Sequence, residues 1–215
     1  MIRALVLDFD GLILDTESAI IRAYADVHAA HGVPFDAERF LHAVGHADYA
    51  FDPWQAFAKP IDRAALDTER RRFNQQRDLE LTLLPGVREL LDAAAAHGLR
   101  LALASNSRRP HCESHLTRLD LLDRFDFLAC RDEAPLPKPA PDLYLHAIRS
   151  LGVRGHEAIA FEDSHTGSLA AKRANLHCVA VPGAATRHHD FTHANLVLAS
   201  LSDCTLADLL KTFSP

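Results

Sequence analysis

Carboxylates, hydroxyls and one lysine recur in this chain where apolar runs stop. "DFDGLILDTE", residues 8–17, follows "ALVL" and opens on Asp8, with Asp10 one residue beyond. The run at 100–104 breaks into Ser105, Asn106 and Ser107, and the run at 158–161 breaks into Glu162 and Asp163. Lys138 stands alone in "PLPKPAPD". Unpaired charge is costly to bury, so such residues need partners or a metal. Asp8, Glu162 and Asp163 cannot all ionise side by side without a counter-charge, which points to a hard divalent cation with oxygen ligands. Few carboxylates together with waters and a phosphate suit magnesium better than a calcium cage. Lys138 adds a fixed positive charge; one unit pair at ~4 Å is worth about 4 kcal/mol at an effective dielectric near 20, enough to help a carboxylate approach a phosphate.

The elements that must position these groups are short. Residues 4–8, 100–105, 125–130, 158–163 and 177–181 read as buried strands, with a sixth, shorter candidate at 196–200. Helical periodicity fills the gaps: Val87, Leu90, Leu91 and Ala94 share a face, and further patterns run through 111–119, 142–151 and 166–174. Continuous apolar strands alternating with helices predict an α/β fold, a Rossmann-like parallel sheet with helices on both faces. Ligands of such sheets bind outside the carboxyl ends of the strands, where all the polar interruptions fall.

Residues 16–82 break the pattern. Ala19, Ile20, Ala23, Tyr24 and Val27 form one helical face, a longer helix runs from an Asp62 cap to about Leu81, and no strand intervenes. The expected organisation is a core of residues 1–14 and 83–215 with an inserted all-helical domain at 15–82.

The 215 residues carry a net charge of −6 with both signs interspersed. The basic run Arg70 to Arg72 reads as the solvated face of a helix, and nothing else suggests nucleic acid as partner. No apolar stretch reaches the ~20 residues of a membrane span, and no secretory leader is visible. The four cysteines are scattered, and Cys130 and Cys178 lie in apolar runs. A cytoplasmic monomer acting on a small molecule is the expectation. "DFDG" does not match a calcium loop, because Gly11 comes too early and a strand precedes it. His111 and His115 stand at helical i, i+4 spacing, but with no third nearby ligand they do not read as a zinc site. "RHHD" at 187–190 reads as an exposed loop.

Taken together, "DFDGLILDTE", "ASNS", "KPAPDLY" and "FEDSHTG" resemble the four motifs of the haloacid dehalogenase superfamily, in order and spacing across essentially the whole chain. The similarity is greatest to its branch of β-phosphoglucomutases and sugar-phosphate phosphatases. The resemblance implies that Asp8 attacks phosphorus, forming an aspartyl-phosphate. It implies Asp10 as acid and base, Ser105 and the Asn106 N–H on phosphate oxygens, Lys138 beside Asp8, and Arg108 as a phosphate-gripping cation. Magnesium would be held by Asp8, the Asp10 carbonyl and Asp163, with Glu162 as ligand or behind the ligands. The helical insertion resembles the family's cap, with hinges near 14–16 and 80–84. An alkoxide is a poor leaving group that needs a proton donor, so Asp10 favours phosphate esters over the family's other chemistries.

The chain departs from the mutase pattern. Ile20 stands where mutases carry a histidine, and the stretch after Gly45, residues 46–57, holds no arginine. A phosphatase for a small phosphate ester is therefore the expectation, with a sugar phosphomutase as the alternative. Substrate contacts are sought in 46–57, including His46 and Trp54, although Trp54 and Phe57 read better as packing of the helical insertion.

Overall fold

The computed structural model describes residues 1–43, 52–58 and 60–213, with the backbone only at 41–43. Six strands form one parallel sheet: β1 (Ala4–Leu7), β2 (Arg100–Ala104), β3 (Phe127–Ala129), β4 (Ala158–Glu162), β5 (His177–Ala180) and β6 (Leu196–Val197). Their order is β3-β2-β1-β4-β5-β6. The chain winds outward from β1 in both directions, so the switch point lies between β1 and β4.

Alternation within the strands decides what covers each face. Leu5, Leu7, Leu101, Leu103, Ile159 and Phe161 point one way, onto helices α4 (Val87–Ala96), α5 (Arg109–Arg118) and α8 (Leu206–Phe213). Ala4, Val6, Ala102, Ala104, Ala158 and Ala160 point the other way, onto α6 (Asp142–Ser150) and α7 (His165–Arg173). The second face is almost all alanine, so these two helices approach the sheet closely and bury Tyr144 completely.

The expected strands are each trimmed at the ends. Asp8, Ser105 and Asp163 fall just outside their ladders, and the 125–130 run narrows to Phe127–Ala129. Asp126 causes part of that trimming: its carboxylate accepts the Leu101 N–H at 2.8 Å and pairs with Arg100. The 196–200 candidate forms two residues of strand.

Between β1 and α4 lie α1 (Thr16–Ala30), α2 (Ala37–Ala43) and α3 (Arg63–Glu80). Asp15 and Asp62 cap α1 and α3 by accepting the N–H groups of Ser18 and Ala65. Val27, Leu66 and Trp54 form a small separate core with Tyr24, Phe57 and Phe73. Trp54 donates its indole N–H to Asp67 at 3.2 Å. Trp54 and Phe57 thus pack this helical unit, as the sequence favoured; the expectation for His46 lies outside the described residues. Arg71 and Arg72 are exposed, while Arg70 lies over the Tyr24 ring. Leu14 and Leu83 form an antiparallel bridge where the chain leaves the sheet and returns. From α5, Arg118 donates to the carbonyls of Leu79 and Leu81 at the end of α3, supporting the helix from the sheet side. Among the described residues no helix is long and apolar enough to cross a membrane.

Candidate active site

The register of the central strands brings the acids together. Leu7 lies opposite Phe161, so the next residues, Asp8 and Glu162, stand side by side on the α6/α7 face. The Asp8 backbone continues the ladder by donating to the Phe161 carbonyl at 3.0 Å. Lys138 Nζ lies 2.5 Å from Asp8 Oδ1 and 2.5 Å from Glu162 Oε1, with all three side chains buried. Asn106 accepts the Lys138 backbone N–H at 2.9 Å, tying that lysine to the end of β2.

Glu162 is fully used by protein partners. Besides Lys138, its Oε1 accepts the Tyr144 hydroxyl at 2.6 Å and its Oε2 the Ser164 hydroxyl at 3.3 Å. It lies under the first turn of α7, where a Cβ on Gly167 would meet Oε2 at 2.0 Å. Asp163 is buried as well, and its Oδ2 accepts the Thr186 hydroxyl at 3.2 Å. Gly11, at φ +82°, turns the chain against it; a Cβ there would meet Asp163 Oδ2 at 2.3 Å.

Carboxylate oxygens of Asp8, Glu162 and Asp163 lie within 4.8 Å of one another. Lys138 is their one cationic hydrogen-bond partner among the described residues. Burial, outweighing Lys138 and aided by the neighbouring carboxylates, pushes the proton affinity of Asp8 well above the ordinary range. Burial likewise raises Asp163, with Glu17 and Asp8 adding to the effect. Burial alone would lower Lys138, yet Asp8 and Glu162 hold it above its usual value, so it stays charged. Three buried carboxylates facing one ammonium are a donor set short of positive charge. A hard divalent cation fits it; no hydrogen bond to Asp8 Oδ2 or Asp163 Oδ1 is seen among the described residues, whereas both Glu162 oxygens are taken.

Asp10 sits at the mouth of the site and is half-buried. Its Oδ1 accepts from Thr16 Oγ1 at 2.7 Å and His111 Nε2 at 3.2 Å; its Oδ2 accepts from Ser107 Oγ at 2.6 Å and Ser105 Oγ at 3.4 Å. Burial alone would raise Asp10, but the His111, Ser107 and Thr16 donors outweigh it and hold the carboxyl below its ordinary value. The Asp10 contact in turn raises His111. Nearby, burial with Asp10 and Asp15 pushes Glu17 up to about 7.

Asp8, Asp10, Ser105, Asn106, Lys138, Glu162 and Asp163 therefore converge at one end of the sheet. Arg108 lies at the N-cap of α5 with its side chain exposed, and no ion pair to the other site residues is seen among the described residues. Sequence reasoning assigned no contact to Thr16 on Asp10, Tyr144 on Glu162 or Thr186 on Asp163. It marks Ser107 only as a strand-end hydroxyl and His111 only as a metal-ligand candidate, whereas both donate to Asp10.

An open parallel sheet with its acids at the switch point, a lysine between them and a helical unit inserted after the first strand defines a class of α/β hydrolases. The chain belongs to the haloacid dehalogenase-like hydrolases, whose family profile matches residues 2–175. YhcW of Bacillus subtilis (strain 168) is 37% identical over 215 residues, covering 98% of this chain and 97% of that protein. Hexitol phosphatase B of Escherichia coli (strain K12) is 34% identical over 224 residues, covering 97% of each. The crystal structure of CbbY from Rhodobacter sphaeroides in complex with phosphate aligns at TM-score 0.77 and 31% identity. That alignment covers 97% of this chain and 99% of the other.

Proposed function

We propose that this hydrolase releases phosphate from small sugar or polyol phosphates, with magnesium as cofactor and Asp8 as nucleophile. That the chain is a phosphoric monoester hydrolase follows from its family and from full-length similarity to relatives such as hexitol phosphatase B. The substrate class draws on that name and on CbbY, crystallised also with xylulose-(1,5)bisphosphate. The observation that carries the reading is the buried Asp8–Lys138–Glu162 chain beside Asp163.

In the proposed cycle an Asp8 oxygen attacks phosphorus, and the bond from phosphorus to the ester oxygen breaks. Asp10 gives its proton to the departing alkoxide. A water then loses a proton to Asp10 and attacks phosphorus, releasing phosphate and restoring Asp8. Lys138 neutralises charge on Asp8 and on the transferring group, while the Ser105 hydroxyl and backbone N–H groups beyond β1 and β2 hold phosphate oxygens. Exposed Arg108 is placed to meet the anionic substrate as it enters. Magnesium, held by Asp8, Asp163 and the Asp10 carbonyl with Glu162 behind them, would neutralise phosphate charge during transfer.

Asp10 starts ionised because four donors surround it. A phosphate arriving between Asp8 and Asp10 adds negative charge beside it and raises its proton affinity, which supplies the acid needed for the first step. Residues 15–82 act as the cap that excludes water from the first transfer, hinged on the chain crossings near Leu14 and Leu83.

The test is phosphate release from a panel of phosphomonoesters with Mg2+ and with EDTA. Sugar or polyol phosphates should be cleaved, with activity lost in EDTA and in Asp8→Asn. Full activity of Asp8→Asn would overturn the mechanism. Isomerisation of a hexose 1-phosphate dependent on a bisphosphate would replace the phosphatase reading with the mutase.

A further inference from the structure

At the start of α7, three side chains converge that the proposed reaction does not use: His165 in the first turn of α7, and Asp190 and His193 in the segment between β5 and β6. We propose that these residues form a second metal site, for a borderline transition-metal cation such as Zn2+, which clasps the β5–β6 segment to the start of α7.

One ligand atom from each residue lies within 4.8 Å of the other two. Three points so spaced share a centre no more than about 2.8 Å from each, against Zn–N and Zn–O distances of about 2.0–2.2 Å. Closing that gap takes a shift of at most about 0.6–0.8 Å per ligand atom. The two imidazole rings stand perpendicular, with centroids 5.1 Å apart, so both can turn an edge toward one point.

The hydrogen bonds select the tautomers that ligation requires. His165 Nδ1 lies 2.6 Å from the Asp190 carbonyl oxygen, which can only accept. Nδ1 therefore carries the proton, and the Nε2 lone pair of the neutral ring is free. His193 Nε2 lies 2.7 Å from Ser168 Oγ. That hydroxyl has one proton, and it lies 2.8 Å from the Ser164 carbonyl and 3.0 Å from that of His165. With its proton directed there, Ser168 Oγ accepts from His193 Nε2–H, and Nδ1 of His193 keeps its lone pair. A metal-binding histidine commonly donates its other N–H to an oxygen in this way, which fixes ring orientation and raises ligand basicity. Asp190 is held as well, by the Thr192 N–H on its Oδ1 at 2.9 Å. Two imidazoles and a carboxylate suit zinc or cobalt better than magnesium. The fourth tetrahedral position is left to water.

The clasp also bears on the catalytic end of the sheet. The segment it anchors carries Thr186, the hydrogen-bond partner of Asp163. Ordering this segment steadies that carboxylate from a distance.

The experiment uses untagged protein stripped with EDTA, returned to excess Mg2+ to fill the acidic site, and titrated with Co2+. One equivalent of Co2+ should give the intense visible absorption of a four-coordinate centre, and Zn2+ should bleach it. The band should persist in Asp8→Asn and vanish in His165→Gln and in His193→Gln, with circular dichroism confirming that these variants fold. Ser168→Ala, which removes only the outer partner of His193, should weaken Co2+ affinity about 10-fold or more. No band, a band that survives both histidine variants, or one lost in Asp8→Asn would overturn the proposal.

Discussion

Replacing Lys138 by methionine removes the one cation between two buried carboxylates while keeping much of the side-chain volume. Lys138, Asp8 and Glu162 side chains are 3%, 9% and 0% exposed, and each ion pair spans 2.5 Å. The gross attraction is about 7 kcal/mol per pair at an effective dielectric of 20, much of it offset by desolvation. The net loss is bounded by an escape route: the stripped carboxylate pair takes up a proton. For a carboxylate whose ordinary pKa is near 4, holding a proton at pH 7 costs about 1.4 kcal/mol per unit, or about 4 kcal/mol. This agrees with the 3–5 kcal/mol typical of breaking a buried pair. The sign follows from proton counts. Relative to its unfolded chain, the folded variant binds one proton more than the folded wild type does, so its deficit grows as pH rises above the ordinary carboxylate range. Urea unfolding in EDTA should show a loss of about 4 kcal/mol at pH 7 and only about 1–2 kcal/mol at pH 5. With Mg2+ present, kcat/KM for a phosphomonoester should fall about 10²–10³-fold. A deficit that is the same at both pH values, or below about 1 kcal/mol at pH 7, would refute the assignment of Lys138 as counter-charge.

Three further outcomes follow from the same geometry. Burial raises the proton affinity of Asp8 and Asp163, so the metal-free fold loses stability as pH climbs from the ordinary carboxylate value through their raised ones. Mg2+ at one fixed concentration, about 100-fold over its Kd at pH 8, should restore about 2.7 kcal/mol there, a rise in Tm of roughly 5–10 °C by calorimetry, and less at pH 5, where protonated carboxylates weaken binding; equal shifts at both would refute it. Gly11→Ala places a methyl 2.3 Å from Asp163 Oδ2 and strains a positive φ; stability should fall by about 1–2 kcal/mol and kcat by about 100-fold, and wild-type kinetics would contradict the close turn. His111→Gln retains a donor toward Asp10 and should keep kcat within about threefold, whereas His111→Leu should lower kcat about 10-fold with KM unchanged; equal effects would argue against a hydrogen-bonding role.

Much of this site was legible because polar residues cannot end apolar strands without a reason. Asp8, Ser105, Glu162 and Asp163 each stop a run of small or aliphatic residues, and the parallel sheet carries all of them to one edge. What the sequence could not show was register. That Asp8 stands beside Glu162 depends on Leu7 pairing with Phe161, a fact about two strands more than 150 residues apart. The split between Glu162, held by Lys138, Tyr144 and Ser164, and Asp163, held by Thr186, comes from the alternation of side chains at the end of β4. The donors on Asp10 were hidden for another reason. Thr16, Ser107 and His111 sit at helix starts and turns, where hydroxyls and imidazoles serve ordinary capping roles, so their type carries little signal. Residues 187–190 read only as an exposed loop, and His193 carried no reading of its own; Asp190 and His193 gain meaning from the helix that folds against them.

The most direct measurement of the central claim is the covalent state of Asp8 during turnover. Enzyme quenched while hydrolysing a phosphomonoester with Mg2+, then treated with borohydride, reduces any aspartyl-phosphate to homoserine, which peptide mass spectrometry locates. Homoserine at position 8, absent without substrate and absent in Asp8→Asn, is the expected result. Steady turnover with position 8 unmodified in every quench, together with full activity of Asp8→Asn, would contradict it.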